Sequence, residues 1–173
     1  MVKYRRGFTI IEVALVLAVA GMIMLAVFIA LPAVQRTERD AERQEDLAEI
    51  IRGIKSYQSN NRGALPNGVT AWKKFYSDYL PKLTEPNGQG YFDNFDDSSL
   101  VVCNSATGAA CAGGSQGDKI ASFMNNDFEI NNYRIMVVTQ ATCNGSEPIK
   151  SSNVRKVALL YTLEIGGVIC KNS

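Results

Sequence analysis

Apolar positions follow three different patterns along this 173-residue chain. Residues 13–34 carry no charged side chain, and Glu12 is the only charge between Phe8 and Gln35. A run of about 22 such residues is enough to cross a bilayer as a helix, which takes roughly 20. Over 36–52 the pattern changes to dense charge of both signs, while Leu47, Ile50, Ile51, Ile54 and Tyr57 recur at steps of three and four. That period predicts an amphipathic helix with one face for a partner sheet. Arg36/Asp40 and Glu49/Arg52 fall at helical pairing distance, and 36–43 reads as a solvated face. Only Pro32 separates the two segments. Residues 8–60 therefore read as one helix, roughly 80 Å long at 1.5 Å per residue, with a stop at Asn60, Asn61, Arg62 and Gly63.

The remaining residues alternate over shorter distances. Val69, Trp72, Phe75/Tyr76 and Tyr79/Leu80 keep helical spacing and predict a short helix over 71–80, capped by Thr70 and stopped before Pro81. Trp72, Lys73, Lys74, Phe75 and Tyr76 interleave aromatics with positive charge, as nucleic-acid surfaces do. Two lysines make a small footprint, and the spacing already suits a core face. Strand patterns come later, at 100–103, 133–139 and 154–165. Gly166 and Gly167, set between 163–165 and 168–170, read as a two-residue hairpin turn. Residues 108–117 read as a flexible Gly/Ala/Ser loop, with no phosphate-loop lysine. The order is helices first, then three or four antiparallel strands: an α+β fold in which the stripe on the long helix covers the sheet.

Composition narrows the chemistry. There are 18 Lys+Arg against 17 Asp+Glu, and no His. Every Ser-His-Asp or Cys-His scheme is excluded, and so is the commonest zinc ligand. The balanced charge gives no specific nucleic-acid partner. Asp93, Asn94, Asp96 and Asp97 crowd one segment, and oxygen ligands that close suit Ca²⁺. The alternating spacing of the helix–loop–helix calcium site is absent, however, and turn chemistry accounts for them. Neither metal nor cofactor is expected, and the chain is not expected to be an enzyme.

The apolar run admits three readings. Lys3, Arg5 and Arg6 ahead of it orient the N-terminus to the cytoplasm. A secretory cut after Ala18, Val19 and Ala20 would leave a greasy tail from Gly21 to Val34, whereas polar sequence normally follows such a site. An uncleaved anchor explains the span but not Glu12, which is costly in a membrane and needs a partner. The third reading starts from Gly7, Phe8, Thr9, Ile10, Ile11 and Glu12 behind a short basic leader. This arrangement resembles the type IV pilin family, over about 30 residues from Lys3 to Pro32.

The resemblance implies cleavage by prepilin peptidase between Gly7 and Phe8, N-methylation of Phe8, and an assembly role for Glu12 opposite the Phe8 amine of a neighbouring copy. A buried pair of that kind chiefly sets register. Many relatives carry a proline earlier in the span; here it is Pro32, near the end. Gly21 is a second weak point, and the helix is expected to loosen between Gly21 and Pro32 in a filament.

The expected organisation is a leader at 1–7, a transmembrane and filament-core helix at 8–34, its amphipathic continuation at 35–60, and an extracytoplasmic head at 61–173 with C-terminal antiparallel strands. The four cysteines, Cys103, Cys111, Cys143 and Cys170, lie in that head, and an even number outside the cytoplasm favours disulfides. Three pairings are possible. The expected one joins Cys103 to Cys111, closing a short loop, and Cys143 to Cys170, tying the end of the chain; a C-terminal staple is also what the resemblance implies.

The function expected is a structural subunit of a type IV pilus filament, supporting adhesion or twitching motility. It would be a single-pass precursor in the cytoplasmic membrane, then a homo-oligomeric surface filament driven by an assembly platform and ATPase. A minor pilin or pseudopilin of a type II secretion or DNA-uptake machine is the nearest alternative. A membrane-anchored extracytoplasmic binding domain is an alternative of another class.

Overall fold

The computed structural model describes residues 7–86, 88–103, 105–111, 114–124 and 135–173. The leader cations Lys3, Arg5 and Arg6 lie outside these residues, as does the expected strand start at Tyr133. The elements run α1 (Ile10–Asn60), α2 (Gly68–Tyr79), β1 (Leu100–Val102), α3 (Gly114–Met124), β2 (Ile135–Thr139), β3 (Ala141–Asn144), β4 (Glu147–Lys150), β5 (Val157–Thr162) and β6 (Val168–Asn172).

The chain divides into two compact units, Met1–Glu38 and Arg39–Ser173. In the first, every described residue is exposed. α1 passes helically through Gly21 and Pro32, although proline takes one hydrogen bond out of the ladder. Its most apolar window has a mean hydropathy of 2.9 and buries nothing. Such a helix is long and apolar enough to cross a membrane.

In the second unit a four-stranded sheet runs in the order β1-β2-β5-β6. β2–β5 and β5–β6 are antiparallel. β1 was expected to be antiparallel, but it pairs with β2 in parallel, Leu100 opposite Val137. The intervening chain, with α3 in it, is long enough for the crossover that a parallel pair requires. A second sheet, β3–β4, was not foreseen; at four residues each its strands are too short to show a period.

Both faces of the main sheet are buried. On one face Ile135, Val137, Val157, Leu159 and Tyr161 pack with Leu47, Ile50, Ile51 and Ile54 of α1 and with Trp72, Phe75 and Phe92. On the other, Met136, Val138, Ala158 and Leu160 meet Ile120, Phe123 and Val168. Strands covered on both sides lose the alternation of a half-exposed strand, which is why 154–165 alternated only in part. Trp72 and Phe75 are fully enclosed, so they are not exposed for base stacking.

Three further expectations are corrected. α2 begins at Gly68 with Asn67 at its N-cap, so Thr70 lies inside the helix. The expected loop at 108–117 gives way to helix at Gly114; Ile120, Phe123 and Met124 supply the apolar face that the glycines obscured. The hairpin turn is five residues, 163–167, rather than two. Gly166 and Gly167 both hold a φ of 92°, conformations that glycine adopts without strain.

Candidate functional site

The expected processing and assembly residues sit at the start of α1. Thr9 directly precedes the helix and caps it. The Glu12 backbone N–H donates to Thr9 Oγ1 at 3.3 Å, while the Thr9 N–H and hydroxyl donate to Glu12 Oε2 at 3.3 and 3.4 Å. This is a reciprocal capping box, and it was legible as Thr-x-x-Glu. The sequence reading considered Glu12 only as an intermolecular partner and missed it. The box satisfies helix donors and positions the carboxylate one turn from Phe8. Phe8, Glu12, Val13, Val16 and Leu17 line a shallow hollow of about 270 Å³. Phe8 is 86 % exposed and Ile10 92 %, surface that water does not favour and a lipid or a second helix would cover.

Gly7 precedes this box. A Cβ built there meets nothing within 4 Å, and the same holds at Gly21. The fold therefore has no steric need for glycine at either position.

The second unit holds a buried polar cluster that the sequence reading did not find. Asp40 and Arg43 were expected on a solvated face, yet Asp40 is 3 % and Arg43 0 % exposed. Arg43 pairs with Asp40 at 2.9 Å and with Glu164 at 2.7 Å. Arg39 closes the group by donating to Glu164 through Nε and Nη2. Asp40 does not take the expected partner Arg36. Its carboxylate accepts the backbone N–H groups of Glu164 and Ile165 at 3.0 and 3.2 Å. Those two N–H groups are spent on α1 rather than on a hairpin ladder, which is why the turn between β5 and β6 is longer than two residues.

The charges in this cluster reinforce one another. Hydrogen bonds from Arg39 and then Arg43 outweigh burial and hold Glu164 at about 2. Burial opposes the Arg43 charge, but Glu164, Tyr161 and Asp40 together raise its pKa above the ordinary value. One turn further along α1, Tyr91 donates to Asp46 at 2.6 Å. Burial pushes Asp46 upward, with Glu42, Glu49 and Glu45 adding to the shift, and the Tyr91 bond offsets part of it.

Two disulfides close the unit. Cys103–Cys111 spans a separation of 8 residues beside β1, and Cys143–Cys170 spans 27 and ties β3 to β6. At the acidic segment Asp93 accepts the Gly90 N–H, and Asp96 accepts the N–H groups of Ser98 and Ser99. Among the described residues no group of three or more His, Cys, Asp or Glu is placed to hold a metal ion.

No curated protein matches the chain, and no solved structure does. The family model of the prokaryotic N-terminal methylation motif matches residues 2–28, which include the capped helix start and the first half of the exposed apolar helix. That motif, which runs into the long apolar helix, is the class III signal found in type IV pilins, and it supports a pilin-like or pseudopilin substrate of prepilin peptidase.

Proposed function

We propose that this protein is a structural subunit of a type IV pilus filament and that it catalyses no reaction. The observation that carries this reading is the methylation motif at 2–28 on an apolar stretch of helix whose described side chains are all exposed through residue 38. Motif and helix together support a membrane-anchored precursor.

In this reading the leader is cut after Gly7 and the new Phe8 amine is methylated. The helix then leaves lipid to pack among copies of itself, so its apolar surface changes partner without meeting water. Glu12 is already placed at the helix start by Thr9, and it pairs with the Phe8 amine of a neighbouring copy. An unpaired carboxylate in that apolar setting is costly, so the pair rewards one register over others. An assembly platform and ATPase drive growth, and the heads face outward to serve adhesion or twitching motility.

The test is the N-terminal sequence and intact mass of the native protein in membrane and sheared-surface fractions. The expected result is a chain beginning at methylated Phe8 and abundant in sheared filaments. A chain retaining residues 1–7 in cells with active prepilin peptidase overturns the reading. Processed chain that never enters a long filament assigns it to a pseudopilin role.

A further inference from the structure

We propose that a basic cleft at the C-terminal end of α1 receives the acidic stripe of α1 from a second copy of this chain, making a head-to-tail contact that propagates along the filament. The inference rests on the filament reading and adds to it a contact between heads.

The cleft is an open hollow of about 550 Å³ whose lining includes Lys55, Arg62, Arg155 and Lys156. Its shape is built, not incidental. The side-chain amide of Gln58 donates to the Arg155 carbonyl at 2.7 Å, and Asn153 accepts the Arg155 N–H at 2.9 Å. The Arg155 guanidinium lies over Gly63, whose φ is 82°; a Cβ there would stand 2.7 Å from Arg155 Nη1. The Lys156 ammonium donates to a main-chain oxygen of Ser173, the last residue of the sequence, which also lines the cleft. Among the described residues none of the four cations forms an ion pair with a side-chain carboxylate. Around Lys55 the helical neighbours are Ile51, Arg52, Gln58 and Ser59, none of them acidic. Lys156 is thus partnered within the cleft, and Lys55, Arg62 and Arg155, held at the same hollow, repel one another unless a further anion joins them.

The same chain displays that anion. Glu42, Glu45 and Glu49 are exposed and, at about 100° per residue, share the side of α1 opposite its buried stripe. Their spacings of three and four place like charges together, which weakens an isolated helix. Among the described residues only Glu49 of the three has a cation within ion-pair distance, Arg52 at 4.0 Å, while Arg39 is committed to Glu164. The cleft lining contains no aromatic side chain, which argues against the stacking platform of a single-stranded nucleic-acid site.

Stripe and cleft are different patches of one unit, and between copies whose helices run parallel they cannot meet reciprocally, so the contact in a filament is heterologous. Such contacts form rings or open helices rather than closed pairs. Lys55 lies 6 to 13 residues beyond the stripe. If neighbouring helices run parallel, the copies are offset along α1 by about 10–20 Å at 1.5 Å per residue.

The test uses the full chain in its own cells. Reversing the cleft with Lys55→Glu and Arg155→Glu is expected to cut sheared filaments at least tenfold. The membrane level of processed, disulfide-bonded subunit should stay normal, which separates assembly from folding. Adding Glu45→Lys and Glu49→Lys is expected to restore filaments. Unchanged filament yield after cleft reversal overturns this contact alone, and so does a loss that the compensating reversal fails to repair. Wild-type cells that process Phe8 but yield no filament overturn the filament reading and this contact with it. Carbodiimide treatment of wild-type filaments supplies a second readout, with Lys55 or Lys156 expected to cross-link to Glu42, Glu45 or Glu49.

Discussion

Arg43 shows how a single residue can hold an element in place. Its guanidinium is fully buried between Asp40 and Glu164. Replacing it with Met would leave the buried Asp40 carboxylate without its cation and Glu164 with Arg39 alone. Breaking a buried pair in this way costs about 3–5 kcal/mol. Arg43→Met should lower the urea midpoint of the full chain in detergent by a corresponding amount, read from Trp72 fluorescence. Glu164 gives the pH dependence of the same cluster. Its pKa falls on folding from 4.5 to about 2, so its stabilisation is complete above pH 4.5 and disappears as pH falls through 2. The difference in melting temperature between wild type and Glu164→Gln should be largest near neutrality and should close towards pH 2. Gly7 is the opposite case. With open space around its Cβ position, Gly7→Val should leave head stability unchanged while the peptidase no longer removes the leader, as intact mass would show. The capping box and the Gly7 motif were readable as strings. The Arg43 cluster was not, because Asp40 and Arg43 resemble any surface pair until Glu164, 124 residues from Asp40, closes over them.

At the scale of elements, the long helix was legible from its charge-free run and its stripe. Leu47, Ile50 and Ile54 are all fully buried. α3 was not legible, because glycine and serine at its start lower helix propensity and only packing of Ile120 and Phe123 offsets them. The β3–β4 sheet depends on a staple. Cys143–Cys170 joins it to β6 across 27 residues, and a loop of that size contributes about 3–4 kcal/mol by the chain-entropy argument. The shorter Cys103–Cys111 loop, across 8 residues, contributes about 2–3 kcal/mol. Cys143→Ser with Cys170→Ser should therefore cost more in denaturant than the same change at Cys103 and Cys111. In α1, Gly21 lies in open space and costs about 1 kcal/mol relative to alanine in a helix interior. If the helix must loosen there in a filament, Gly21→Ala should reduce sheared filaments without changing the amount of processed subunit in the membrane.

For the whole molecule, the sequence by itself determined what depends on neighbours within a few turns. The basic residues and glycine ahead of the helix, the Thr-x-x-Glu pattern at its start, the length of the apolar run and the core stripe are all local spacings. A helix carries its own hydrogen bonds, so its period survives in the string. The tertiary structure alone decided that β1 joins the sheet in parallel, that Asp40 and Arg43 are buried, and that Lys55, Arg62, Arg155 and Lys156 meet at one hollow. Each of these depends on pairing between residues far apart in the chain. Strand partners, buried ion clusters and surface clefts draw on groups whose proximity has no period, and the energy that selects them appears only when distant segments exclude water together.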